Sequence, residues 1–159
     1  MARFDEAMRP PSVLIFDWHG TLVDTHDAMF SAMEEMLPQL ETLGLVERLL
    51  PEARCRTQDD ARLVRYIRVF RRLHPRILAE RRVSRTDVFN AIFGDDRDAK
   101  LIAHRAYNAA YRKYFGRVKP FQPGAYEYLG ALKALGIRLA VCTNRNREFL
   151  DRELATVDE

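Results

Sequence analysis

At 159 residues the chain has room for one ordinary domain, or for a small domain carrying an insertion. Apolar residues make up 47% and charged residues 31%, and no apolar run approaches the roughly 20 residues that a membrane-spanning helix requires. The segment Met1-Ala2-Arg3-Phe4-Asp5-Glu6 lacks the apolar stretch of a secretory signal, so a cytoplasmic protein is expected.

Net charge is only +3, but it is unevenly placed: eleven arginines fall between residues 54 and 85, against the three acids Asp59, Asp60 and Glu80. The basic character is therefore local to one face or one subdomain. Cys55 and Cys142 match no metal-binding spacing and read as reduced, mostly buried thiols.

In chain order, Val13-Leu14-Ile15-Phe16 is a short continuous apolar run after Pro10-Pro11. It is too short for a helix and reads as a buried strand of a parallel sheet, broken at Gly20. From residue 26 to about 40, Met29, Ala32, Met33, Met36, Leu37 and Leu40 form a helical stripe that Pro38 kinks or ends, and core filling is its expected role. Over residues 59–73 a second amphipathic helix sets Leu63, Ile67, Phe70 and Leu73 against Arg62, Arg65, Arg68 and Arg72. Ser84 caps a short helix over 85–93 with Asp87 in its first turn and Gly94 as its stop. A longer helix over about 96–115 carries Ile102, Ala106, Ala110 and Tyr114 on one face.

The pattern then changes. Pro120 to Gly124 is a turn-rich connector, and Ala125 to Leu135 is helical and stops at Gly136. Ile137 to Cys142 reads as a second buried strand with Thr143-Asn144 at its end, and a helix runs from near Arg145 to the terminus. Two strands separated by an all-helical block imply an α/β core with a helical insertion.

Ligands of open α/β sheets bind beyond the carboxyl ends of the strands. Asp17 follows the first strand, and Thr143 and Asn144 follow the second. If the strands are parallel neighbours, these groups meet at one edge. A carboxylate there can attack phosphorus or carbon and form an ester. Gly20 gives backbone amides access to an anion, and the Thr143 hydroxyl and Asn144 amide can hold the oxygens on which charge builds. A turn or capping role for Asp17 and Asp24 stands beside that reading.

The block Asp17-Trp18-His19-Gly20-Thr21-Leu22-Val23-Asp24 after its strand resembles the first motif of the haloacid dehalogenase superfamily, Asp-x-Asp-Gly-Thr-Leu-x-Asp. Val141-Cys142-Thr143-Asn144 resembles the second motif, a strand ending in Ser or Thr. The resemblance covers most of the chain and implies the helical-cap type of that fold. It implies an α/β, Rossmann-like core, an incomplete parallel sheet, over residues 1–24 and 119–159, with an α-helical cap at residues 25–118. It further implies Mg²⁺-dependent hydrolysis of a small phosphorylated substrate, with Asp17 as nucleophile and His19 at the acid–base position. Gly20, Thr21, Thr143 and Asn144 then hold the substrate anion. The Asp17 carboxylate and the His19 backbone carbonyl become two Mg²⁺ ligands, and Asp24 caps the following turn.

Two features depart from the family pattern. Position 19 is His where phosphatases of the family carry a second Asp. Histidine can donate and accept the proton near neutral pH, or it can be a structural residue that leaves the chemistry slow. Relatives without that Asp include dehalogenases, with Tyr, and phosphonoacetaldehyde hydrolases, with Asp-Trp-Ala-Gly-Thr. Carbon–halogen or carbon–phosphorus cleavage is therefore the alternative, although the latter needs a cap lysine and the region holds only Lys100 and Lys113. The second departure is that fifteen residues follow Asn144. The family's third motif, with a Lys, and fourth motif, with Mg²⁺-binding acids, follow the second. The chain thus reads as C-terminally truncated, with an unpaired apolar edge on its first strand, poor stability and little activity alone. Lys119-Pro120 reads as a connector, and Asp151, Glu153, Asp158 and Glu159 as solvated acids of a terminal helix.

The arginine tract, Arg62, Arg65, Arg68, Arg71, Arg72, Arg76, Arg81 and Arg82, is open to three readings. These are a solvated helix face, a cap offering Arg to an anionic substrate, and a non-catalytic module binding through the basic cap; nucleic acid is an unfavoured partner because no recognised motif accompanies the charge.

Overall fold

A computed structural model describes residues 11–81 and 83–157. Met1–Glu6, Arg82, Asp158 and Glu159, each given a role above, lie outside the described residues. The described chain has a mixed α/β fold with four strands and seven helices.

Strand β1, Val13–Phe16, pairs in parallel with β4, Arg138–Val141, so that Val13 faces Arg138 and Phe16 faces Val141. Helix α6, Ala125–Ala134, leads into β4 and packs against it. The apolar run of β1 implies burial on both faces, yet Ile15 is 67% exposed. The reason is the size of the sheet: among the described residues β1 has β4 as its one neighbour, and its other edge is unpaired.

Most of the core lies among the helices between the two strands. Helix α1, His26–Met36, starts where the Asp24 carboxylate accepts the backbone N–H of His26 at 2.8 Å. Pro38 falls in a 3₁₀ turn over Leu37–Leu40 that ends it. The expected stripe is the core: Met33, Met36, Leu37 and Leu40 are fully buried. This face packs along α5, Arg97–Tyr111, whose first turn is capped by Asp96 accepting from the Ala99 N–H at 3.0 Å. The buried face of α5 differs from the expected one. Ala99, Ala103, Tyr107, Ala110 and Tyr111 point inward, while Ile102, Ala106 and Tyr114 are only partly buried. The aromatic rings decide this rotation, because Tyr111 stacks against Phe149 at 5.6 Å and Tyr107 meets Phe89 edge-on at 6.3 Å.

Helix α2, Gln58–Phe70, is capped by Thr57 and stops earlier than its periodicity suggests, because Arg71 turns left-handed at φ 55°. Phe70 is consequently 56% exposed, and Leu73 reaches the core from beyond the helix. A short α3, Pro75–Glu80, ends likewise at Arg81, φ 51°. Helix α4, Arg85–Phe93, has the full capping box between Ser84 and Asp87 and stops at Gly94. The last helix is α7, Arg147–Val157. The thiols correct another expectation: Cys55 is half-buried and Cys142 exposed, because β4 has an open face.

Lys119-Pro120 is more than a connector. It forms β3 and pairs antiparallel with β2, Val23–Asp24, so the chain leaves the strand layer and returns to it side by side. Charge tightens this neck. Arg81 bridges Asp24 and Asp27 at 3.0 and 2.5 Å, and Lys119 adds a second partner to Asp27 at 3.0 Å. Both carboxyls are held below the usual carboxylate range. For Asp24, burial opposes the shift and the His26 and Arg81 contacts outweigh it; for Asp27 the Arg81 and Lys119 hydrogen bonds lead. Much of the arginine tract is similarly paired, while Arg68 and Arg71 donate to the backbone carbonyls of Leu49 and Ile67. Arg62 meets Asp59, Arg72 meets Glu34 and Arg76 meets Glu80, which describes a solvated, neutralised helix face.

Shortening Met33 to Ala removes a fully buried side chain and should lower unfolding free energy by about 2–5 kcal/mol. Val69→Ala, at an exposed site, should stay within about 0.5 kcal/mol of the parent. Urea unfolding followed by circular dichroism measures both, and equal losses would refute this placement of the core.

Candidate active site

The parallel register carries pairing to the very ends of the strands, where the Cys142 N–H donates to the Phe16 carbonyl at 2.8 Å. Asp17 and Thr143 are the next residues on each chain, so both sit at the carboxyl edge of the sheet. Asp17 is exposed, and its Oδ1 accepts the Trp18 N–H at 2.7 Å. Beyond it the chain folds tightly on itself. The Leu22 and Val23 N–H groups both donate to the Trp18 carbonyl, at 3.0 and 3.1 Å, and Gly20 N–H donates to Val23 at 2.8 Å.

Gly20 has φ 71°, which favours glycine, while a Cβ placed there would meet nothing within 4 Å. Its role is therefore to make the turn, and its amide is engaged in that turn instead of being offered to an anion. Thr21 is exposed on the same turn. Thr143 Oγ1 accepts the Arg145 N–H at 3.2 Å, which leaves the hydroxyl proton for donation to another group. Asn144 beside it is exposed.

The residue that organises this edge is Glu153, expected from the sequence to be a solvated acid. It is fully buried instead. Its Oε2 accepts Trp18 Nε1 at 2.9 Å and meets His19 Nε2 at 3.1 Å. Its Oε1 accepts the Tyr111 hydroxyl at 2.8 Å and an Arg145 N–H at 2.5 Å. One carboxylate thus joins α7, the loop after β1, the middle of the fold on α5, and the segment after β4. Burial by itself would raise the Glu153 pKa; the His19 hydrogen bond, the Arg145 charge and the Tyr111 hydroxyl outweigh it and hold it at about 2. A signal for this was present in the sequence: Glu153 lies four residues after Phe149, on the apolar side of its helix with Leu150 and Leu154.

The donor set for Mg²⁺ is thin. Among the described residues no group of three or more His, Cys, Asp or Glu side chains converges on a common point. Asp17 and the His19 carbonyl are hard oxygen donors of the right kind, but Glu153 is turned to Arg145, and two donors do not by themselves fit a resident Mg²⁺. The two lysines of the helical block are occupied elsewhere, Lys100 with Asn90 at 2.9 Å and Lys113 with Glu35. A cavity of about 390 Å³ is lined by residues of the helical block, Leu63, His74 and Ile77 among them, and by none of the motif residues.

A carboxylate at the carboxyl edge of a parallel pair, with a hydroxyl on the neighbouring strand end and a helical block between the strands, stands where open α/β sheets bind their ligands. The chain belongs to the haloacid dehalogenase-like hydrolase family, whose model matches residues 11–158. Among solved structures it is similar to the crystal structure of a hydrolase from Pseudomonas syringae, at 14% identity and a TM-score of 0.50. That match covers 94% of this chain, and the chain spans 56% of the solved one. No curated protein matches it. No helix among the described residues is long and apolar enough to cross a membrane.

A carboxylate held below its ordinary value stabilises the fold at pH above that value, 4.5 for Glu, and the stability disappears as pH falls toward about 2. Glu153→Gln cannot titrate. The stability gap between parent and variant should therefore narrow by about 3 kcal/mol between roughly pH 5 and pH 2. Urea midpoints at a series of pH values measure this, and parallel acid losses in the two proteins would remove the assignment.

Proposed function

We propose that the chain is a phosphomonoester hydrolase acting through an aspartyl-phosphate on Asp17, with a small phosphorylated compound as substrate and residues 25–118 as its cap. The observation that carries this reading is the parallel pairing of β1 with β4, which puts the Asp17 carboxylate and the Thr143 hydroxyl at one edge. An Asp17 oxygen attacks phosphorus while the bond to the leaving oxygen breaks. Thr143 and Asn144 donate to the non-transferring oxygens as charge builds, and Thr21 on the facing turn joins them. His19 gives its proton to the leaving oxygen, then takes one from the water that cleaves the acyl phosphate. Glu153 supports that role by fixing the imidazole through Nε2 at 3.1 Å.

Mg²⁺, where bound, would neutralise charge between Asp17 and the phosphoryl group, held by the Asp17 carboxylate and the His19 carbonyl. These donors alone supply a weak site, so the residues named above carry the mechanism. Slow turnover is expected of this polypeptide, and a cytoplasmic location accords with its sequence.

Hydrolysis of an aryl phosphate by the purified chain should fall to background in Asp17→Asn and by about 10²-fold or more in His19→Ala. Acid-quenched protein should carry a phosphoryl mass on the peptide containing Asp17. Turnover that survives Asp17→Asn would overturn the assignment. Magnesium-independent halide release from a 2-haloacid, with no phosphate release, would transfer it to carbon–halogen cleavage.

A further inference from the structure

We propose that Arg85 and Arg145 form an oxyanion-binding clamp that takes the non-reacting carboxylate or phosphate group of the substrate. The two residues come from distant segments, Arg85 from the start of α4 and Arg145 from the loop after β4. Both guanidinium groups lie over neighbouring rings on α5: Arg85 is 5.1 Å from the centre of Tyr107, and Arg145 is 4.7 Å from the centre of Tyr111. Those rings are 5.6 Å apart, so two cations are held on one aromatic shelf.

Their hydrogen bonding is incomplete. The Nε atoms of both arginines are buried and have no partner among the described residues. Arg145 is balanced by Glu153 at 2.5 Å. Arg85 has no such balance. Burial presses it down from the usual arginine value and the Arg145 charge adds to that, against an opposing contribution from Tyr107 and Tyr111 and from no carboxylate among the described residues. His104, one turn before Tyr107 on α5, is pushed down by burial and then by the Arg85 charge. This part of the molecule therefore carries an uncompensated positive charge in a partly dehydrated setting. Folded proteins bury charge with a counter-charge, and an arginine fork left open in this way matches the planar or tetrahedral oxygens of a carboxylate or phosphate. Part of the Arg85 side chain remains in contact with solvent, which gives an anion a way in.

The clamp adjoins the reaction edge through one residue. Arg145 is bonded by its backbone to Thr143 and by its side chain to Glu153, which in turn holds His19. In its placing of a substrate, though not in its capacity to bind an anion, the inference rests on the reading of Asp17 as nucleophile. It selects substrates that carry an anionic group in addition to the one that reacts. It also differs from the sequence expectation, since Arg62, Arg65, Arg72, Arg76 and Arg81 of the exposed tract are paired with acids and Arg85 is not.

The experiment is calorimetric titration of the full chain with inorganic phosphate and, separately, with malonate, alongside melting temperatures. Saturable binding is expected in the parent and in Asp17→Asn. It should weaken by about tenfold or more in Arg85→Gln. Arg85→Lys should weaken it too, because a single ammonium cannot replace the fork. Without ligand, Arg85→Gln should melt no lower than the parent, since it removes an unbalanced charge. A variant that melts well below the parent identifies Arg85 as structural and overturns the clamp, as does unchanged phosphate affinity in either variant or no binding in the parent. Loss of turnover in all substrates with phosphate binding intact would count against the proposed hydrolysis and leave the clamp standing.

Discussion

The arrangement depends on one buried carboxylate. Glu153 meets four side chains, which come from three separate parts of the chain. Removing water from a carboxylate is costly, and the cost is recovered only when every lone pair finds a donor. That requirement is restrictive. It fixes the azimuth of α7, the indole of Trp18, the hydroxyl of Tyr111 and the guanidinium of Arg145 together. The loop that carries Asp17 is thereby referenced to the helical core instead of hanging from β1 alone, whose sheet is narrow.

Around that centre sits a second, aromatic layer. Phe149 and Tyr111 are stacked, Phe115 meets both edge-on, and Arg145 covers the pair from one side. Aromatic faces favour a cation at short range, so the same rings that fill the core also hold the guanidinium that neutralises Glu153. Packing and charge balance here are one structure. A change to Phe149 therefore perturbs the electrostatics around His19 without touching it.

Local pattern made much of this legible. The apolar stripe of α1, the Ser84 capping box and the apolar runs of β1 and β4 follow from spacing alone, and the residues after the two strands pointed to Asp17 and Thr143. Other features depend on relations that spacing does not contain. The depth of a strand's burial depends on what covers it, and the run Val13–Phe16 reads the same with or without a cover. The helix face of α5 was set by ring stacking with Phe89 and Phe149, which lie on other elements. Glu153 reads from the sequence as solvated because acids of a terminal helix usually are, even though its place on the apolar side is visible there. Arg81 and Lys119 at the neck, and Arg85 on the aromatic shelf, needed the fold to show what they face.

The neck formed by β2 and β3 has a mechanical consequence. Both covalent crossings between the strand layer and the helical block pass through four residues lying side by side, Val23, Asp24, Lys119 and Pro120. A body tethered at two adjacent points turns about the line joining them and resists twisting about others. Arg81 and Lys119 act across that line, on Asp24 and Asp27, as electrostatic stays. Ionic strength, which weakens such partly exposed pairs, is thus the solution variable to which the stiffness of this joint is tied.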